Sequence, residues 1–272
     1  MKPKKWQWEV WLLNFIALGY LTLVLLIPMV NVFYQAFKDG WAGVWATWTD
    51  ENFRSAALLT LTASAIAIPL NTVFGLCTAW ILARHKFPGK AVVLSILDLP
   101  FSISPVVVGL MIVLVYGRQG WWGGWLAEHN LRVVFAFPSI ALASAFVSLP
   151  FVAREVIPVL EELGKEQEEA ARTLGANSWQ TFGRVILPSI KWGLLYGILL
   201  TNARAMGEFG AVSVVSGNII GFTQTLPLFV ETAYKEYNSQ SAYSASVALA
   251  LLAIVTLVFK GILDRVDKRP KN

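Results

Sequence analysis

Apolar residues run in six long stretches along the chain, approximately 11–33, 58–83, 92–116, 133–151, 193–215 and 245–263. A helix needs about 20 predominantly apolar residues to cross hydrocarbon, so each stretch predicts a membrane span. The first follows Lys2, Lys4 and Lys5. Its apolar core exceeds the roughly 7–15 residues of a signal peptide and no small-x-small site follows, so it reads as an uncleaved span. Prolines interrupt the second stretch (Pro69) and the third (Pro100 and Pro105). Each removes a backbone hydrogen bond, which lipid tolerates only where protein or a water-filled cavity covers the backbone. Two readings stand: kinks around a pathway, or kinks that serve packing alone.

Between the fourth and fifth stretches, residues 154–191 are too many for a simple connector and are patterned as helix. Leu160, Leu163, Ala170 and Leu174, with Gln167 between them, recur every three or four residues and predict one apolar face. Glu161, Glu162, Glu166, Glu168 and Glu169 crowd the remaining surface. Gly175 can close this helix in a left-handed conformation. Asn177 can cap a second helix, with Gln180 at capping-box spacing. Trp179, Phe182 and Ile186 give the second helix an apolar face, and Pro188 is expected to stop it.

Composition decides the solvent. Only 14% of the 272 residues are charged and 56% are hydrophobic, where a soluble domain carries roughly a quarter charged residues. The mean hydropathy is +0.58. Cys77 is the single cysteine, which excludes disulfides and cysteine metal sites within the chain. Sixteen of the lysines and arginines fall in the two termini and in the segments 84–90 and 154–191, against five in the opposite loops. The positive-inside rule then places both termini in the cytoplasm. The net charge of +5 is thus a topology signal and no nucleic-acid footprint. Tryptophans gather at two levels, with Trp41, Trp45, Trp48, Trp121, Trp122 and Trp125 on the outer side. Trp6, Trp8, Trp11, Trp80, Trp179 and Trp192 lie on the inner side, as interfacial belts require. His85 and His129 fall on opposite sides, so no metal site is expected.

Charges also lie inside the apolar stretches. Arg204 and Glu208 are four residues apart on one face of the fifth, and Asp98 lies in the third, beside Pro100. Intramembrane charges pair and face the protein interior. Arg ahead of Glu is the weaker i,i+4 order, which makes Asp98 one candidate partner for Arg204. Gly207, Gly210 and Ala211 would let a neighbouring helix come close. Arg204 reads either as a pathway residue for a divalent anion or as part of a buried structural network.

Glu169-Ala170-Ala171, Gly175, Val185 and Leu187-Pro188 resemble the EAA signature, EAA-x3-G-x9-I-x-LP, of binding-protein-dependent ABC importer permeases of the MetI-like type I family. Val185 replaces the usual isoleucine. The resemblance implies that this loop docks into a cleft of a cytoplasmic ATPase subunit. Glu169 would meet an arginine there, the small Ala170 and Ala171 would allow close approach, and Gly175 would set the angle between the two short helices. The segment 204–211 resembles the fifth span of permeases for tetrahedral oxyanions. Segments 212–218 and 225–231 are similar to the W-type subunit of sulfate/thiosulfate importers.

The fold implied is an all-α membrane protein with six transmembrane helices and a cytoplasmic coupling-helix loop. Residues 1–54 hold the first span and outer loop, 55–264 the permease domain, and 265–272 a basic tail. Asp98, Pro100, Pro105, Arg204, Gly207, Glu208 and Gly210 are its pathway or gate candidates. The implied partners are two ATPase subunits, a homologous T-type permease, a periplasmic sulfate/thiosulfate-binding protein and membrane lipid. No Gly-x4-Gly-Lys-Ser/Thr loop is present, so no cofactor is expected on this chain, and ATP and Mg belong to the partners. The alternatives are a molybdate or tungstate permease and an ion-driven secondary transporter, which would leave the EAA spacing unexplained.

Overall fold

The computed structural model describes residues 5–267, with side chains from Trp8 to Ile262; Lys2 and Lys4, the side chains of Lys5 and Trp6, and in the 265–272 tail all side chains and everything beyond Asp267, fall outside the described part. Every regular element among the described residues is helical. In chain order these are α1 (Trp8–Phe37), α2 (Gly40–Thr49), α3 (Glu51–Arg84), α4 (Lys90–Ser102), α5 (Pro105–Tyr116) and α6 (Gly123–Glu128). There follow α7 (Phe137–Leu163), α8 (Glu166–Thr173), α9 (Ser178–Met206), α10 (Gly210–Val215), α11 (Leu226–Lys235) and α12 (Ser239–Ile262). Helices α1, α3, α7, α9 and α12 are each long and apolar enough to span a membrane, and α4 with α5 forms a sixth, broken span.

The break in the third stretch falls at Pro105. Ile103 and Ser104 are extended, and the two helix axes bend by 109°. Proline at the first turn of α5 needs no N–H, while it drives the residue before it out of the helical region. Pro100, by contrast, lies buried inside α4, and Pro69 lies inside the unbroken α3. The fourth span continues well past 151, to Leu163, so Arg154 belongs to a spanning helix and not to the loop. The fifth ends at Met206, and 210–215 is a separate helix.

Pro188 does not stop the helix that starts at Ser178. A widened turn over Phe182–Ile186, closed by the Leu187 N–H on the Phe182 carbonyl, precedes the proline. The Ser189 hydroxyl then donates to the Val185 carbonyl at 2.7 Å. A π-type bulge shifts the ladder by one residue, which accommodates proline where a regular helix would lose its bond.

The chain divides into two compact units. In the unit of residues 51–229 and 249 onward, α3, α7 and α9 pack through glycines. A Cβ at Gly75 of α3 would lie 2.6 Å from the Val152 Cβ, and one at Gly197 of α9 would lie 2.7 Å from the Val152 Cα. Small residues let backbones meet at such distances where lipid supplies no hydrophobic drive between helices. Leu82, Val152, Val156, Leu160, Ile186 and Ile190 form one apolar cluster, and Val108, Ile140, Val147, Val212 and Val215 form a second. In the unit of residues 1–50 and 230–248, the Gln240 amide donates to the Ala36 carbonyl at 2.9 Å and the Trp48 indole to the Ser244 carbonyl at 3.0 Å. None of the most apolar window of α1 is buried, as befits a helix that is hydrophobic all round and meets lipid.

Candidate functional site

The loop between α7 and α9 starts where Gly164, at φ +62°, breaks the chain out of α7. This glycine divides the single apolar face expected from the spacing. Leu160 is 1% exposed at the end of α7, while Leu174, beyond α8, is 89% exposed. Gly175 adopts φ +86°, the left-handed closure its position predicts. Asn177 caps α9 as expected: its Oδ1 accepts from the Gln180 N–H at 2.8 Å, and Gln180 Oε1 accepts from the Asn177 N–H at 2.9 Å.

A buried ion pair, not legible in the sequence, ties the loop to the bundle. Arg84, the last residue of α3, donates from Nε to Glu168 Oε1 at 2.7 Å and from a terminal nitrogen to the Leu160 carbonyl at 2.6 Å. The side chains are 7% and 10% exposed. The Lys165 ammonium donates to the Arg84 carbonyl at 2.9 Å. The carboxylate that anchors α8 is therefore Glu168, and its neighbour Glu169 is left exposed with Ala170. Around them Trp179 is 83% exposed, and an apolar groove lined by Leu76, Trp80, Arg172, Trp179 and Phe182 opens alongside. Leu187 and Pro188 sit within α9, just beyond the widened turn, with Pro188 exposed.

The remaining candidates separate into two places. Arg204 pairs with Glu208 on its own chain segment at 2.7 Å, not with Asp98. Glu208 is 1% exposed at its side chain, and its Oε1 accepts from the Ala211 N–H at 2.8 Å. One carboxylate thus bridges the end of α9 and the start of α10, combining an ion pair with a hydrogen bond from a first-turn N–H that the helix leaves free. Helices α5 and α10 meet here: a Cβ at Gly210 would lie 2.8 Å from the Pro105 Cβ, and one at Gly109 would lie 2.7 Å from the Ala211 carbonyl. A Cβ at Gly207 would meet only the Ala203 carbonyl, at 3.5 Å, so no neighbouring helix presses on that position.

Asp98 pairs instead with Arg154, a residue that the apolar pattern assigned to the loop. Arg154 Nε donates to Asp98 Oδ1 at 2.7 Å, and a terminal nitrogen contacts Oδ2, a two-pronged geometry. The side chains are 52% and 31% exposed. Phe101 and Phe151 stack edge to face beside the pair, with centroids 5.2 Å apart.

Known proteins resemble this chain. The chain is 63% identical over 255 residues to the sulfate transport system permease protein CysW of Synechocystis sp. (strain ATCC 27184 / PCC 6803 / Kazusa), covering 94% of this chain and 92% of that protein. It is 58% identical over 249 residues to the protein of the same name from Synechococcus elongatus (strain ATCC 33912 / PCC 7942 / FACHB-805), covering 92% and 87%. Its fold matches a solved bacterial ABC transporter involved in the import of the acidic polysaccharide alginate, with a TM-score of 0.79 and 17% identity over 98% of each chain. Residues 71–272 match the binding-protein-dependent transport system inner membrane component family, and the chain belongs to that family.

Proposed function

We propose that this chain is the permease subunit of an ATP-driven importer that carries sulfate or thiosulfate across the inner (plasma) membrane. The observation that carries the reading is the anchored loop surface. The Arg84–Glu168 pair holds α8 to the bundle while Glu169, Ala170, Leu174 and Trp179 stand exposed. Two large apolar side chains held outward beside a charged helix, Leu174 just past the end of α8 and Trp179 in the first turn of α9, fit a partner surface better than they fit water. With Arg154 counted in a span, the basic residues still divide fifteen to five toward the loop side, which supports cytoplasmic termini.

The loop surface then receives one of two ATPase subunits, which bind ATP and Mg; this chain binds neither. A homologous second permease completes the pathway, and a periplasmic binding protein delivers the anion. Close identity to proteins named as sulfate permeases supports the substrate class.

Labelled-sulfate uptake in cells lacking only this chain tests the reading. Complementation should restore uptake that excess thiosulfate suppresses and excess molybdate leaves largely intact. Normal sulfate uptake with lost molybdate uptake would transfer the substrate to molybdate or tungstate. Uptake that persists on ATP depletion with the ion gradients held would overturn the ATP-driven mechanism.

A further inference from the structure

Arg84, Arg154 and Arg204 each pair with a carboxylate, but their partners hold them differently. Glu168 is buried around Arg84, and Glu208 has its second oxygen committed to the first turn of α10. Asp98 uses both oxygens on Arg154, and both side chains of that pair stand partly uncovered by the chain itself.

The place of Asp98 and Arg154 along their helices follows from helix geometry. Lys90 and Glu161 form an ion pair at 3.4 Å that joins the start of α4 to the end of α7. Asp98 lies eight residues beyond Lys90, and Arg154 lies seven residues before Glu161. At a rise of 1.5 Å per residue, each lies about 10–12 Å along its helix from that pair. Charged groups within a spanning helix face protein or a water-filled cavity, not lipid. The chain's own bundle leaves both partly uncovered, and an aqueous path shared with a second permease subunit would cover them.

We propose that Arg154 is an oxyanion contact in the cytoplasmic half of that path, occupied by Asp98 between passages. The inference rests on the sulfate permease reading and adds the residue that meets the anion. A guanidinium presents paired N–H donors that fit two oxygens of a carboxylate or of a tetrahedral oxyanion equally well. An arriving anion can therefore replace the Asp98 carboxylate without leaving the charge bare. Arg154 is on the fixed side, since its neighbours Val152, Ala153, Val156 and Ile157 are buried in the α3–α7–α9 core. Asp98 is on α4, whose end is the extended Ile103–Ser104 break.

The test uses the full chain in the complemented cells and in inside-out vesicles prepared from them. Arg154→Gln should cut sulfate uptake at least tenfold at unchanged membrane abundance, Arg154→Lys less, and Asp98→Asn less than either. If the pair merely ties α4 to α7, Arg154→Gln and Asp98→Asn lose uptake equally and the exchanged pair Asp98→Arg/Arg154→Asp restores it, which overturns the proposal. An independent readout is Asp98→Cys in a Cys77→Ser background, treated with the anionic, membrane-impermeant 2-sulfonatoethyl methanethiosulfonate. Labelling within about tenfold of a Leu174→Cys control, slowed by sulfate, supports an oxyanion contact; labelling as slow as a lipid-facing Phe15→Cys control overturns it. Failure of the unsubstituted chain to support sulfate uptake would refute the transport reading instead, separately from the labelling result.

Discussion

Replacing Arg84 by methionine would leave Glu168 buried without its cation. The pair is 7% and 10% exposed, and the same guanidinium also satisfies the Leu160 carbonyl. Removing one member of a buried ion pair costs about 3–5 kcal/mol, because the surviving charge stays desolvated. That cost falls on the docked state of α8, since Glu168 recovers its solvation by swinging the helix off the bundle. Even the lower figure corresponds to a roughly 100-fold rise in the undocked population. Amide hydrogen exchange across 166–173, in the full chain, reads this directly as about 100-fold faster exchange, and uptake should fall with it. Arg84→Met/Glu168→Met should bring exchange back to within about tenfold of the parent, because two apolar groups replace two charges. Exchange unchanged in Arg84→Met, or single effects that simply add in the double variant, would refute the reasoning.

Gly197→Leu should lower thermal stability in detergent, and abundance in the membrane, by the equivalent of about 1–3 kcal/mol. Its Cβ would meet the Val152 Cα at 2.7 Å, whereas Gly261→Leu, with nothing within 4 Å, serves as the unperturbed control. Glu208→Gln should keep an acceptor for the Ala211 N–H and lose only the charge opposite Arg204, while Glu208→Ala loses both. The alanine variant should therefore be less stable than the glutamine variant by about 1 kcal/mol, the value of a helix cap, in the same thermal assay.

Six spans, the helical character of the loop, the Gly175 turn and the Asn177–Gln180 cap were all legible along the chain, while the stop expected at Pro188 was not borne out. Each depends on neighbours within a few residues: hydropathy over twenty positions, a left-handed glycine, or a side chain that reaches the backbone three residues on. Pro105 and Pro188 look alike to that reading and behave in opposite ways. One breaks a span and the other is absorbed, because the widened turn at Phe182–Ile186 re-registers the helix ahead of it.

Partner choice among the charges belonged to the tertiary structure. Arg154 ends an apolar run and so reads as the start of a loop. Yet α7 continues for about two and a half more turns because Val156 and Leu160 pack into the bundle. That packing keeps Arg154 on a helix long and apolar enough to span a membrane, beside Asp98, and Arg204 pairs with Glu208. The sequence alone determined that charges lie within the spans. That Asp98 meets Arg154 was decided by α4 lying against α7, because a side chain pairs with what the neighbouring helix brings within about 3 Å, however far away in the chain that residue lies.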